Sequence, residues 1–104
     1  MERNNIYQLL GLAYRARSLV WGYRAVKKAW ERKKVFMVIM AEDTSTALKE
    51  KILSWGRREG IPVWIFGTKE ELGRAIGKRP CGLLAFTHRD WAERLKGIKK
   101  PGGG

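Results

Sequence analysis

The chain has 104 residues, 44% of them hydrophobic, with five tryptophans and one cysteine. That suffices for one domain with a modest core, and it excludes a disordered tail and an internal disulfide framework. Twenty-two Lys and Arg stand against 10 Asp and Glu, a formal net charge of +12 whose self-repulsion costs stability and points to a polyanionic partner.

Ile6, Leu9, Leu10 and Ala13 carry the apolar stripe of a first helix, with Asn4 or Asn5 as its cap. Leu19-Val20-Trp21 reads as a short extended piece. The stretch from Gly22 to Trp30 then predicts a glycine-started helix. Val26, Ala29 and Trp30 point inward, while Arg24 and Lys28 share the opposite face. Gly22 has no side chain to shield the first backbone N–H groups, where the positive end of the helix dipole favours a phosphate. An ordinary solvated face would look the same, and Glu31 is placed to pair with Lys28 on it.

Val35 to Ala41 is a continuous apolar run, expected as a central strand buried on both faces. Leu48, Ile52 and Trp55 mark a third helix ending between Gly56 and Gly60. Pro62 to Phe66 is the next strand, stopped by Gly67. Thr68-Lys69-Glu70-Glu71 is a capping box opening a helix that holds Leu72, Ala75 and Ile76 and stops at Gly77. Gly82 to Thr87 makes another buried strand, and Thr87 and Asp90 open a last helix with Trp91 and Leu95. Helices alternating with buried strands predict an α/β fold, an α/β/α sandwich. One domain is expected over residues 1–98, and the Lys-Pro-Gly tail 99–104, with nothing apolar to anchor it, is expected to be disordered.

Glu42, Asp43 and His88 follow two predicted strands and could meet at one sheet edge. One histidine and two carboxylates lack metal-ligand spacing, so capping and turn roles are expected and no metal site. Cys81 has no companion His or Cys and is expected as a free loop thiol. Gly73 and Gly77 fit neither the dinucleotide nor the P-loop spacing; close packing and a helix end are their expected roles. No enzyme, cofactor or small-molecule substrate is expected. The start Met1-Glu2-Arg3-Asn4-Asn5 is no signal peptide, no apolar run could span a bilayer, and the lone cysteine suits a reducing compartment. A cytoplasmic protein without a membrane partner is the expectation.

The order of the pieces carries further information. Leu9-Leu10-Gly11-Leu12-Ala13 with Arg17 is followed by Gly22 with Lys28-Ala29. Then come Val38-Ile39-Met40-Ala41-Glu42-Asp43, Ile61-Pro62-Val63 and Leu72-Gly73-Arg74-Ala75-Ile76-Gly77-Lys78. Over about residues 6–96 this resembles the kink-turn RNA-binding ribosomal-protein family of archaeal L-seven-Ae and eukaryotic L-thirty-e, in particular its small bacterial YlxQ-like branch. The resemblance implies a three-layer α/β/α sandwich around a mixed sheet of about four strands. It implies a non-enzymatic, ribosome-associated protein that binds structured RNA, ribosomal or regulatory; the oligomeric state is left open, with a monomer favoured.

It also implies a two-part site. Gly22, Tyr23, Arg24, Ala25 and Lys28 match the glycine-started helix, with Lys27 beside them. Arg24 stands where ribosomal members usually carry Asn, and Ala25 where they carry Glu. An acceptor for guanine edges is lost and a donor for guanine or phosphate is gained. The second segment is Lys78, Arg79, Pro80 and Cys81, in a loop that is usually more apolar and cradles an extruded nucleotide. Here its charge suits backbone contact. Trp21 has two readings: a ring that closes the core or an interface, or, with Tyr23, a stacking surface for splayed bases. The alternative function is a protein-interaction module of the translation or transcription machinery, tethered to RNA by non-specific charge.

Overall fold

The computed structural model describes residues 2–98, so the expectation for the tail 99–104 lies outside it. Nine elements follow one another: α1 (Glu2–Arg15), β1 (Leu19–Trp21), α2 (Tyr23–Glu31), β2 (Met37–Met40), α3 (Thr46–Glu59), β3 (Val63–Ile65), α4 (Lys69–Ala75), β4 (Leu83–Phe86) and α5 (Arg89–Lys96). The strands form one mixed sheet in the order β1-β4-β2-β3. β4 runs antiparallel to both β1 and β2, and β3 runs parallel to β2.

Period-two alternation divides the core between the two faces of this sheet. Met37 and Ile39 of β2, with Leu84 and Phe86 of β4, pack with Ile6 and Leu10 of α1, Leu72 of α4 and Leu95 of α5. Val38 and Met40, with Leu83 and Ala85, pack with Val26 and Trp30 of α2 and Ile52 of α3. The result is the expected α/β/α sandwich, and all four residues of the interior strand β2 are buried.

Local chemistry sets the element ends, in places differently from the expectation. α1 begins at Glu2, so Asn4 and Asn5 lie inside it and cap nothing. It ends in a Schellman motif: Ser18 N–H donates to the Ala13 carbonyl and Arg17 N–H to that of Tyr14. Arg17, not glycine, takes the left-handed position there, at φ 59°. Lys33 does the same after α2, at φ 60°. α3 runs through Gly56 and stops at Gly60. The α4 capping box forms with both of its hydrogen bonds. α5 starts behind His88 at the cap position, in place of the Thr87 opening that the sequence suggested.

Antiparallel pairing of β2 with β4 separates the carboxylates from the histidine. Met37 pairs with Phe86 and Met40 with Leu83, so Glu42 and His88 leave the sheet at opposite ends. Among the described residues no group of three or more His, Cys, Asp or Glu could hold a metal. Asp43 accepts a hydrogen bond from the Lys69 N–H at 2.9 Å and so satisfies a first-turn donor of α4, a capping role.

Candidate nucleic-acid interface

Gly22 joins β1 to α2 with φ 90° and ψ 153°, a region essentially closed to residues with a side chain. An added Cβ would meet nothing within 4 Å, so the backbone angle itself requires glycine. Its N–H donates to the Leu83 carbonyl at 2.9 Å, and its carbonyl accepts from Val26 N–H at 3.0 Å, the first bond of α2. No side chain caps the helix and its first turn holds no acidic residue. The N–H groups of Tyr23, Arg24 and Ala25 therefore face outward at the positive end of the helix dipole.

The Lys78–Gly82 loop lies beside this helix start because β4 pairs with β1, Trp21 opposite Leu84. Its position is set from below by glycine. A Cβ on Gly73 would collide with the Arg79 carbonyl, and one on Gly11 would come within 2.7 Å of the Ala75 carbonyl. α1, α4 and the loop thus pack backbone to backbone. Gly77 sits at φ 73° and turns the chain out of α4, with Lys78 N–H closing back on the Gly73 carbonyl. The Arg79 guanidinium carbon stands 5.5 Å from the Trp21 ring centroid, and the Lys78 ammonium 5.5 Å from that of Tyr14. Cation–π contact holds both cations against aromatic faces and ties the two segments together.

The structure sorts the candidate residues. Gly22 and Arg24 lie at the α2 start, at the sheet end where the Lys78–Arg79 loop enters β4, whereas Lys28 lies further along α2 beside Arg32 and Arg89. Arg24 and Lys28 are exposed, and among the described residues neither forms an ion pair, the Lys28–Glu31 pairing included. Pro80 is exposed on the loop. Cys81 is a free thiol in this loop, as expected, but its side chain is turned into the core, 7% exposed, where burial raises its pKa. Trp21 and Tyr23 do not bracket the helix start, because they pack on opposite faces of the sheet. Trp21 rests on the cluster under α1 and α4. Tyr23 turns to α3, 6.3 Å from the Trp55 centroid, with the Lys51 ammonium 5.3 Å from its own ring. Lys27 follows Tyr23 onto that flank, beside Trp55 and Arg58. Arg32, one turn beyond Lys28, extends the Arg24–Lys28 stripe past the helix end. Its i+8 spacing from Arg24 was the signal that could have found it.

A glycine-started basic helix, a leucine-glycine helix packed on α4 and a mixed four-stranded sheet define a ribosomal-protein type of fold. The chain matches the ribosomal protein L7Ae/L30e/S12e/Gadd45 family over residues 4–95 and belongs to it. It is 32% identical over 89 residues to the RNA-binding protein YlxQ of Bacillus subtilis (strain 168), covering 86% of this chain and 89% of that protein. A solved structure of a protein of unknown function from Bacillus halodurans superposes with a TM-score of 0.84 at 35% identity, over 88% of this chain and 93% of that one. The Giardia lamblia 15.5kD RNA binding protein superposes with a TM-score of 0.76 at 20% identity, over 93% and 87% of the two chains, a likeness of fold.

Proposed function

We propose that the protein is a non-enzymatic RNA-binding protein of the cytoplasm that recognises structured, kink-turn-like RNA on or near the ribosome. The observation that carries this reading is the pairing of an uncapped, acid-free helix start at Gly22 with the basic Lys78–Arg79 loop, held side by side by β1–β4 pairing. Family membership and the relative named an RNA-binding protein support it.

In this reading the backbone at the bend of the RNA lies on the α2 N-terminus. The N–H groups of Tyr23 to Ala25 donate to a phosphate, Arg24 and Lys28 neutralise its neighbours, and Gly22 permits close approach. Lys78 and Arg79 hold the strand across the bend. Binding that fits only the bent backbone stabilises the kinked state over the extended one.

The test is affinity for a kink-turn hairpin, and for the same hairpin with its G·A pairs replaced, across a salt series. Preference for the intact motif at every salt concentration is expected. Equal affinities with a steep salt slope would instead move the specificity to another RNA or to a protein partner, with this hairpin held only by charge.

A further inference from the structure

A cationic groove of about 670 Å³ runs along α2 from Ala25 to Arg32 and across to Arg89, meeting the Gly22–Lys28 segment at Ala25 and Lys28. Its floor is apolar and shallow, because Val20, Ala25 and Ala29 contribute small side chains. Arg32, Lys34 and Arg89 rim it, and Lys28 links it to the α2 stripe. The Arg89 guanidinium carbon is held 5.5 Å from the Phe36 ring centroid, which fixes one cation at the groove wall. No carboxylate is among its lining residues, and Asp90, next to Arg89, is not among them either. The adjoining groove on the far side of Phe36 is of mixed charge, since Glu59 and Glu93 line it together with Lys33, Arg89 and Lys96.

We propose that this groove holds a single-stranded segment of the bound RNA, continuing from the Gly22 site along Arg24, Lys28 and Arg32. An apolar floor between charged rims matches a nucleotide: the base and ribose cover Ala25 and Ala29, and the flanking phosphates meet Arg32, Lys34 and Arg89. A fully hydrated anion would make no use of that floor, and a protein partner of mixed charge would fit the adjoining groove better. The proposal rests on the RNA-binding reading, but it locates the single strand independently of the bend.

The test compares a kink-turn hairpin with the same hairpin carrying a single-stranded extension of about eight nucleotides, within the usual span of such sites. The extension should tighten binding to the parent protein about tenfold, the equivalent of stacking or desolvating one base. Lys34→Gln with Arg89→Gln should abolish that gain and flatten the salt slope for the extended RNA by about 1.4, while hairpin affinity and Tm stay unchanged. An extension that adds nothing, or a gain that survives the double variant, overturns the proposal. The extension oligonucleotide alone separates the two readings. If the hairpin shows no preference for its G·A pairs, the kink-turn reading fails, and the groove stands only if the double variant still weakens the oligonucleotide. Vesicles of anionic phospholipid that displace the oligonucleotide equally well would assign the groove to a membrane surface and overturn it.

Discussion

Two helix starts on this molecule are built to opposite plans. α4 closes its own N-terminus: the Thr68 hydroxyl accepts from Glu71 N–H at 3.1 Å, the Glu71 carboxylate accepts from Thr68 N–H at 3.0 Å, and Glu70 adds a second acid. Asp43 takes the Lys69 N–H as well. α2 has glycine where α4 has threonine, and arginine where α4 has glutamate. Its donors and dipole are left for something outside the chain. A helix start already satisfied by its own residues is a structural joint, whereas the unsatisfied, acid-free start of α2 is the one proposed above to meet RNA.

The largest effect is expected from Arg24→Asp, which gives α2 the acidic first turn of α4. RNA affinity should fall about 10- to 100-fold, since a charged hydrogen bond worth about 1.5–3 kcal/mol is replaced by repulsion. Thermal stability should hold or rise, because the new carboxylate complements the dipole. Loss of both together would indicate misfolding. Gly22→Ala forces a side chain onto φ 90° and should cost about 1–3 kcal/mol, read as a lower denaturant midpoint at constant m. Thr68→Ala removes the α4 cap for about 1 kcal/mol and should leave RNA affinity unchanged, which separates the joint from the site. Lys28→Ala should flatten the log–log salt dependence of RNA binding by about one unit; an unchanged slope removes Lys28 from the contact.

The smallest effect concerns acid. The Glu71 pKa is lowered first by the hydrogen bond from the Thr68 backbone and next by that from Tyr7. A depressed folded-state pKa contributes stability that is present above the ordinary carboxylate range and lost as pH falls through the lowered value. Glu71→Gln should therefore flatten the acid limb of Tm against pH, and an identical limb would show that the carboxylate's hydrogen bonds add nothing there.

Much of this architecture was legible because it is locally encoded. The Val35–Ala41 run, the Thr68–Glu71 box and the Gly22 helix start each announce themselves within ten residues, and the structure contains all three. Facts about long-range pairing were not legible in this way. That β2 and β4 run antiparallel, parting Glu42 from His88, depends on residues about 45 positions apart in sequence. Left-handed Arg17 and Lys33 escaped because propensity assigns such positions to glycine. Cys81 reads as a free loop thiol, and its burial was not legible, because it depends on the loop packing backbone to backbone on α4 at Gly73. The two segments of the candidate site carried a signal each. Their meeting through Arg79 and Trp21 carried none, since it rests on β1 pairing with β4.

The most direct test is a residue-resolved amide map by NMR while a kink-turn hairpin is titrated into labelled protein. The largest shifts should fall on Tyr23, Arg24 and Ala25 and on the Lys78–Gly82 loop, with the Thr68–Glu71 amides still. Shifts that leave the α2 start unmoved, or that centre on the α4 start, would contradict the proposed site.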